Sequence, residues 1–170
     1  MTKIAFVNNK DEIIGSGTKE EAWKNGNIHR IVRIFIFNSK GEMLIQRRSD
    51  SVILFPGKWD HAVGGHVDEG EDYIDAAKRE AREELNIEKI ELKEIKKYYT
   101  DEVRDGNKIA KRFNTLYTAI YDGPISLNKE EVAEVRWISF EELQKWMSQK
   151  PEDFTGGFIK SLEIYKEAVG

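Results

Sequence analysis

Residues 64–87 read GGHVDEGEDYIDAAKREAREELNI, a glycine-rich loop leading into one helix. On that helix Glu80, Glu83 and Glu84 stand at i, i+3 and i+4, so three carboxylates share one narrow face. Like charges this close repel. A solvated helix would spread its acids or place Lys four residues on, whereas a divalent cation, with its preference for hard oxygen ligands, relieves the crowding. The stretch is therefore read as a metal site. The helix is expected over residues 72–85, and its other face, Ile74, Ala77, Ala81 and Leu85, is spaced to lie on a sheet. From the 3.6-residue period the carboxylates sit about 100° from the centre of that stripe. They stand at the edge of the buried face, where a cleft would lie.

The remainder of the chain sets bounds on this site. With 170 residues, 39% hydrophobic and 34% charged, it is long enough for one domain with a real core and too short for two typical ones. A single domain over residues 1–170 is expected, residues 1–27 forming an N-terminal hairpin and short helix and residues 28–170 the core. A net charge of -4 gives no general attraction to nucleic acid or to an anionic membrane. Neither a spanning apolar run nor a secretory leader is found, so a cytoplasmic protein is expected. The absence of cysteine removes disulfides, thiolate metal sites and thiol nucleophiles together.

Outward from the acidic helix, the pattern is that of a sheet. Residues 3–7 and 12–15 flank a turn at residues 8–11, and Thr18 with Glu21 has capping-box spacing for a brief helix ended by Gly26. Residues 28–37 and 42–47, joined by Asn38-Ser39-Lys40-Gly41, form the clearest hairpin. Pro56-Gly57 marks residues 49–58 as an exposed loop. Strands are expected over residues 91–99, 108–121 and 135–138, with turns at Asp105-Gly106 and at residues 122–124. Ser139 and Glu142 cap a helix through Met147, and Gly156-Gly157 introduces a last helix carrying Phe158, Leu162, Tyr165 and Val169 on one face.

Gly65, Glu71, Arg79-Glu80-Ala81, Glu83-Glu84 and Asn86-Ile87 stand at spacings that resemble the signature of the Nudix hydrolase superfamily. Asn86 departs from the Gly of that signature. It is the mildest exchange, since Asn tolerates the left-handed helix terminus better than other residues. The resemblance implies an α+β fold, an α/β/α sandwich around a mixed sheet. It also implies hydrolysis of a diphosphate bond in a nucleoside-diphosphate-linked or related small molecule, with Mg2+ or Mn2+. Carried over residue by residue, Glu83 and Glu84 are metal ligands, Glu80 a further ligand or the base, and the Gly65 carbonyl a possible ligand. Glu71 and Arg79 would form a supporting ion pair. A downstream acid often serves as base in this family. Glu130, Glu131 and Glu134 are candidates, spacing does not choose among them, and Glu131 is carried forward with Glu80, Glu83 and Arg79 as the catalytic set.

The first 90 residues also resemble the isopentenyl-diphosphate isomerase branch, through IHRIVRIFIFNSKGEMLIQRRSD and FPGKWDHAVGGH. That branch uses a Cys where this chain has Gly64, and a metal held by histidines and two glutamates. His29 and His66 match two of its histidines. Ala22 or Trp23 falls at a third, and residues 106–121 contain no acid. An isomerase-like scaffold running hydrolase chemistry is the expectation, with an isomerase or a non-catalytic ligand-binding domain as alternatives. Arg47, Arg48, Trp59 and His66 are the candidate substrate contacts. Arg47 and Arg48, adjacent on a strand, point to opposite faces, so one at most would face the cleft. Phe55, Trp59, Tyr99 and Trp137 could stack on a base or fill the core, and His29 and His66 could equally be hydrogen-bonded structural residues.

Overall fold

β3 (His29–Phe37) is the strand on which the others assemble. Its sequence HRIVRIFIF is dominated by β-branched and aromatic residues, and alternate side chains turn to opposite faces. Val32, Ile34 and Ile36 enter one buried cluster and Phe35 another. The computed structural model describes residues 2–104 and 106–170, leaving aside the side chains of residues 102–104. Nine strands join in one mixed sheet. β3 runs parallel to β8 (Lys108–Ile120) along its full length. Its opposite edge is shared by β1 (Ile4–Val7) at His29, β6 (Val63–His66) over residues 31–34 and β4 (Met43–Arg48) at residues 36–37. β4 continues to β9 (Val132–Ile138) and β5 (Trp59–Asp60), so the sheet forks between β6 and β4. β2 (Ile13–Gly17) pairs with β1, and β7 (Lys93–Arg104) with β8.

A core lies on each face. α2 (Tyr73–Leu85) lays Ala76, Ala77, Ala81 and Leu85 against Val32, Ile34 and Val63. On the other face α3 (Phe140–Gln149) and α4 (Gly156–Val169) bring Leu143, Phe158 and Leu162 onto Phe35, Met43 and Leu116. Phe35 meets Phe158 edge-on at 5.9 Å between ring centroids, and burying an aromatic side chain of this size contributes roughly 2–3 kcal/mol. The α/β/α sandwich around a mixed sheet is present as expected. Among the described residues no helix is long and apolar enough to cross a membrane.

Local differences from the sequence pattern have physical causes. Ile74, expected in the buried stripe, lies in the first turn of α2 and is 38% exposed, while Ala76 takes its place. Val169, in the last turn of α4, is exposed as well, and Ile164 is buried instead. Both corrections are end effects, where helices overrun the surface they pack on. Gly64 and Gly65 belong to strand β6 rather than to a loop. β5 was invisible because two residues carry no periodicity. The turn at Asp105-Gly106 includes a residue outside those described. α1 (Lys19–Asn25) has the complete capping box of Thr18 and Glu21, and Gly26 ends it at a φ of 69°.

Candidate active site

Arg79 is the hub of the acidic helix. Its Nε and Nη2 donate to the two oxygens of Glu71 at 2.7 and 2.9 Å, a bidentate pair. Nη2 also donates to the His66 carbonyl, and Nη1 to Glu80 Oε1 at 2.9 Å and Glu83 Oε2 at 3.0 Å. One guanidinium thereby ties the loop before α2, strand β6 and two helix carboxylates together. Gly65 makes room for this. A Cβ there would overlap the Glu80 carboxyl, so the strand must carry no side chain where the helix approaches. At the far end of α2, Asn86 adopts φ 58° and ψ 34°, and its N–H donates to the Arg82 carbonyl at 2.9 Å. Asn fills the left-handed cap.

The C-terminal end of α2 positions the third acid. Ser126 N–H donates to the Leu85 carbonyl and Asn128 N–H to that of Glu84, fastening residues 126–128 to the helix. Asn128 then accepts from the N–H groups of Glu131 and Val132 in a tight turn. Glu131 is thus brought to the cavity wall. Glu80, Glu84 and Glu131 each present an oxygen, and these lie within 4.8 Å of one another. Gln46 Nε2 donates to Glu84 Oε1 at 2.7 Å, and Gly64 N–H to Oε2 at 3.3 Å. Glu83 lines the same cavity, but its side chain is 49% exposed and held by Arg79. The structure therefore groups Glu131, rather than Glu83, with Glu80 and Glu84.

Burial pushes the Glu80 carboxyl up to about 7, opposed by Arg79 and assisted by Glu83 and Glu131. Glu84 is raised well above the ordinary value, by burial first and then by Glu80. Glu131 is raised by burial and by Glu83. Three mutually repelling, largely desolvated carboxylates are the donor set that a hard dication fits.

The sequence pattern of the NUDIX domain matches residues 27–162. The chain belongs to the Nudix family. It is 40% identical over 165 residues, 97% of this chain and 94% of the relative, to the uncharacterized Nudix hydrolase PA4841 of Pseudomonas aeruginosa. It is 30% identical over 160 residues, covering 94% of this chain and 89% of the relative, to an isopentenyl-diphosphate Delta-isomerase of Serratia proteamaculans. Among solved structures, DR0079 from Deinococcus radiodurans superposes with a TM-score of 0.78 at 26% identity, covering 99% of both chains.

The cavity beside the Nudix helix has a volume of about 660 Å³, within the range of small-molecule sites. Arg48 lines it, its Nε donating to the Leu54 carbonyl and its Nη1 lying 3.4 Å from Asp60. Arg47, expected as a substrate contact, points away and pairs with Glu134 at 2.9 Å. Pleat alternation is the cause. Trp59 is likewise corrected: it is buried in the α3–α4 core, where Arg136 lies over its ring at 5.5 Å. Among the four aromatics considered for stacking, Phe55 lines the cavity, Trp137 packs on the α2 core and Tyr99 sits edge-on to Phe113. The loop at residues 49–58 forms part of the wall rather than standing wholly exposed.

His66 lines the Nudix cavity with its ring 5.3 Å from that of His29 and 6.2 Å from Trp23. Burial first, then His29 and Arg112, hold it well below the ordinary histidine range, so its imidazole is neutral at pH 7. Arg33 and Arg112, 5% and 4% exposed, also line the cavity. Sequence reasoning missed both. The available signal was a charged residue inside an otherwise apolar strand at residues 31–37, which burial makes costly unless it serves a site.

Proposed function

We propose that the chain is a metal-dependent hydrolase that cleaves a diphosphate bond in a nucleoside-diphosphate-linked or related small molecule. The observation that carries this is the group formed by Glu80, Glu84 and Glu131, two acids from the Nudix helix and one from across the cavity. These three, with Glu83 and the Gly65 carbonyl beside them, would hold Mg2+ or Mn2+. A bound dication supplies charge neutralisation at the diphosphate oxygens and lowers the pKa of water. Arg79 keeps Glu80 and Glu83 oriented toward the cavity. Glu131, raised by burial, takes the proton of the attacking water. Attack at phosphorus then breaks the bond to the bridging oxygen, which leaves on the departing phosphate. We assign the protein to the cytoplasm with its small-molecule substrate.

The test is a phosphate-release screen with Mg2+ or Mn2+ over nucleoside diphosphate sugars, dinucleotides, nucleoside triphosphates and prenyl diphosphates. One class is turned over, and Glu80→Gln and Glu84→Gln each lower kcat by about a hundredfold or more while circular dichroism is unchanged. Unchanged turnover in both variants, or no metal-stimulated release from any class, overturns the proposal.

A further inference from the structure

The same cavity has a second, cationic wall on the α4 face of the sheet. Arg33 lies beneath the first turn of α4: a Cβ on Gly157 would stand 2.7 Å from its Nη2 and 3.0 Å from its Nη1. Arg33 Nε donates to Asn114 Oδ1 at 2.9 Å, which fixes the guanidinium. Its Nη1 is 3.3 Å from His61 Nδ1. That neighbour is no acceptor. His61 Nδ1 lies 2.6 Å from Asp60 Oδ1, a separation that requires the proton on Nδ1. His61 Nε2 then accepts from Ser161 Oγ at 2.7 Å, and Ser161 in turn accepts from the Tyr98 hydroxyl at 2.7 Å. Nη2 has no acceptor among the described residues. A guanidinium 5% exposed therefore turns its outer edge into the cavity without an acceptor of its own.

Its surroundings share that polarity. Arg48 and Arg112 line the same cavity. Asp60, the nearby carboxylate, is already engaged by Arg48, by His61 and by Thr155 Oγ1 at 3.1 Å. Thr155 caps α4, a helix of 14 residues with no acid in its first turn, and accepts only the Phe158 N–H there. The partial positive end of that helix faces the arginines, an arrangement that a bound anion resolves.

We propose that Arg33, Arg48 and Arg112, with the first turn of α4, bind a second anionic group of the substrate, a phosphoryl group separate from the scissile phosphorus. The proposal rests on the hydrolase reading for the word substrate, and on the geometry of the wall for the anion. Arg33 and Gly64 are register partners on adjacent strands, and Gly64 N–H donates to Glu84, so the β3–β6 pair joins the two walls, both of which line the one cavity. One molecule can span them. The preferred substrate class is then an organic diphosphate bearing a terminal phosphomonoester or phosphate, rather than one ending in a neutral group.

Titration calorimetry of the metal-free protein with inorganic phosphate in EDTA tests the subsite apart from turnover. Wild type binds phosphate saturably at one site, and Arg33→Gln weakens it by at least about tenfold. Gly157→Ala does the same by pressing on Arg33 without changing charge, and it carries the test if Arg33→Gln does not fold. No saturable binding to wild type, or wild-type affinity in both folded variants, overturns the subsite. In turnover, Arg33→Lys raises KM at least about tenfold for phosphate-ended substrates, leaves kcat in place, and spares neutral-ended ones. Lost phosphate binding with an unchanged KM ratio shows a site for free phosphate and overturns its assignment to substrate. Failure of the hydrolase reading is distinguishable: turnover is then absent while phosphate binding persists.

Discussion

Replacing Glu80 by Gln removes one charge from the buried carboxylate group, and the structure fixes the sign of the effect on the metal-free protein. Glu80 is 8% exposed, and burial raises its carboxyl from 4.5 to about 7. The folded state holds a proton that the unfolded chain releases between these values. The stability this confers is complete below about 4.5 and is lost as pH rises through about 7. The difference corresponds to roughly 3 kcal/mol. Gln also forfeits the charge-assisted part of the Arg79 hydrogen bond, about 1–2 kcal/mol. At pH 8 in EDTA, Glu80→Gln is therefore more stable than wild type by about 1–2 kcal/mol, roughly 2–8 °C in Tm for a domain of this size. At pH 5 the advantage is gone. The difference between the two proteins is the proper readout, because buried His61 and His66, whose values burial lowers, make stability rise with pH below about 6.5. Thermal melts at pH 5 to 8, with EDTA and then with Mg2+, measure it, and Mg2+ stabilises wild type more than the variant. A Glu80→Gln protein less stable than wild type at pH 8 without metal refutes the reasoning.

Substitutions at three further positions follow from the same geometry. Asn86→Gly, at a left-handed position, raises stability in urea melts by about 0.5 kcal/mol, and Asn86→Ala lowers it by about 1 kcal/mol. Gly65→Ala leaves a folded protein in which Glu80 is displaced, and Mg2+ affinity from thermal-shift titration falls by on the order of tenfold. Arg79→Ala strips donors from Glu71, Glu80 and Glu83 and costs about 3–5 kcal/mol by chemical denaturation; Arg79→Lys, lacking the planar fork, recovers only part of it.

The elements legible in the sequence were those with a period or a cap. β3 announced itself by its β-branched run, α2 by its alanine stripe, α1 by Thr18 and Glu21. What the sequence could not show was pairing. That β3 has β8 on one edge and three strands in succession on the other depends on contacts far apart in the chain, and it is this fork that opens the cavity. Glu80 and Glu84 were identifiable from spacing. Glu131's place beside them follows from four backbone hydrogen bonds, two to α2 and two to the Asn128 carbonyl, which no local pattern encodes. Arg33 and Arg112 were passed over for a related reason: a lone charge in a strand does not reveal its depth.

The likeness to an isopentenyl-diphosphate isomerase raises the question of which group of residues a dication would choose. His29 and His66 lie with their rings 5.3 Å apart, and His29 donates from Nδ1 to the Asn27 carbonyl at 3.0 Å, directing Nε2 elsewhere. Yet Arg112 stands in register with His29 on the neighbouring strand, buried and facing the same cavity. The like charge of that guanidinium opposes a dication beside it. Ala22, fully buried, and Gly64 offer no ligand side chain to offset it. The group of Glu80, Glu84 and Glu131 has the opposite balance: burial first, and neighbouring carboxylates second, hold their carboxyls above the ordinary range, and a dication there would offset both. The histidine side of the cavity is thus lined by Arg33 and Arg112, while the α2 edge carries the acids. On the proposed hydrolase reading, a divalent ion is expected at Glu80, Glu84 and Glu131, and neutral His66 is left as cavity wall.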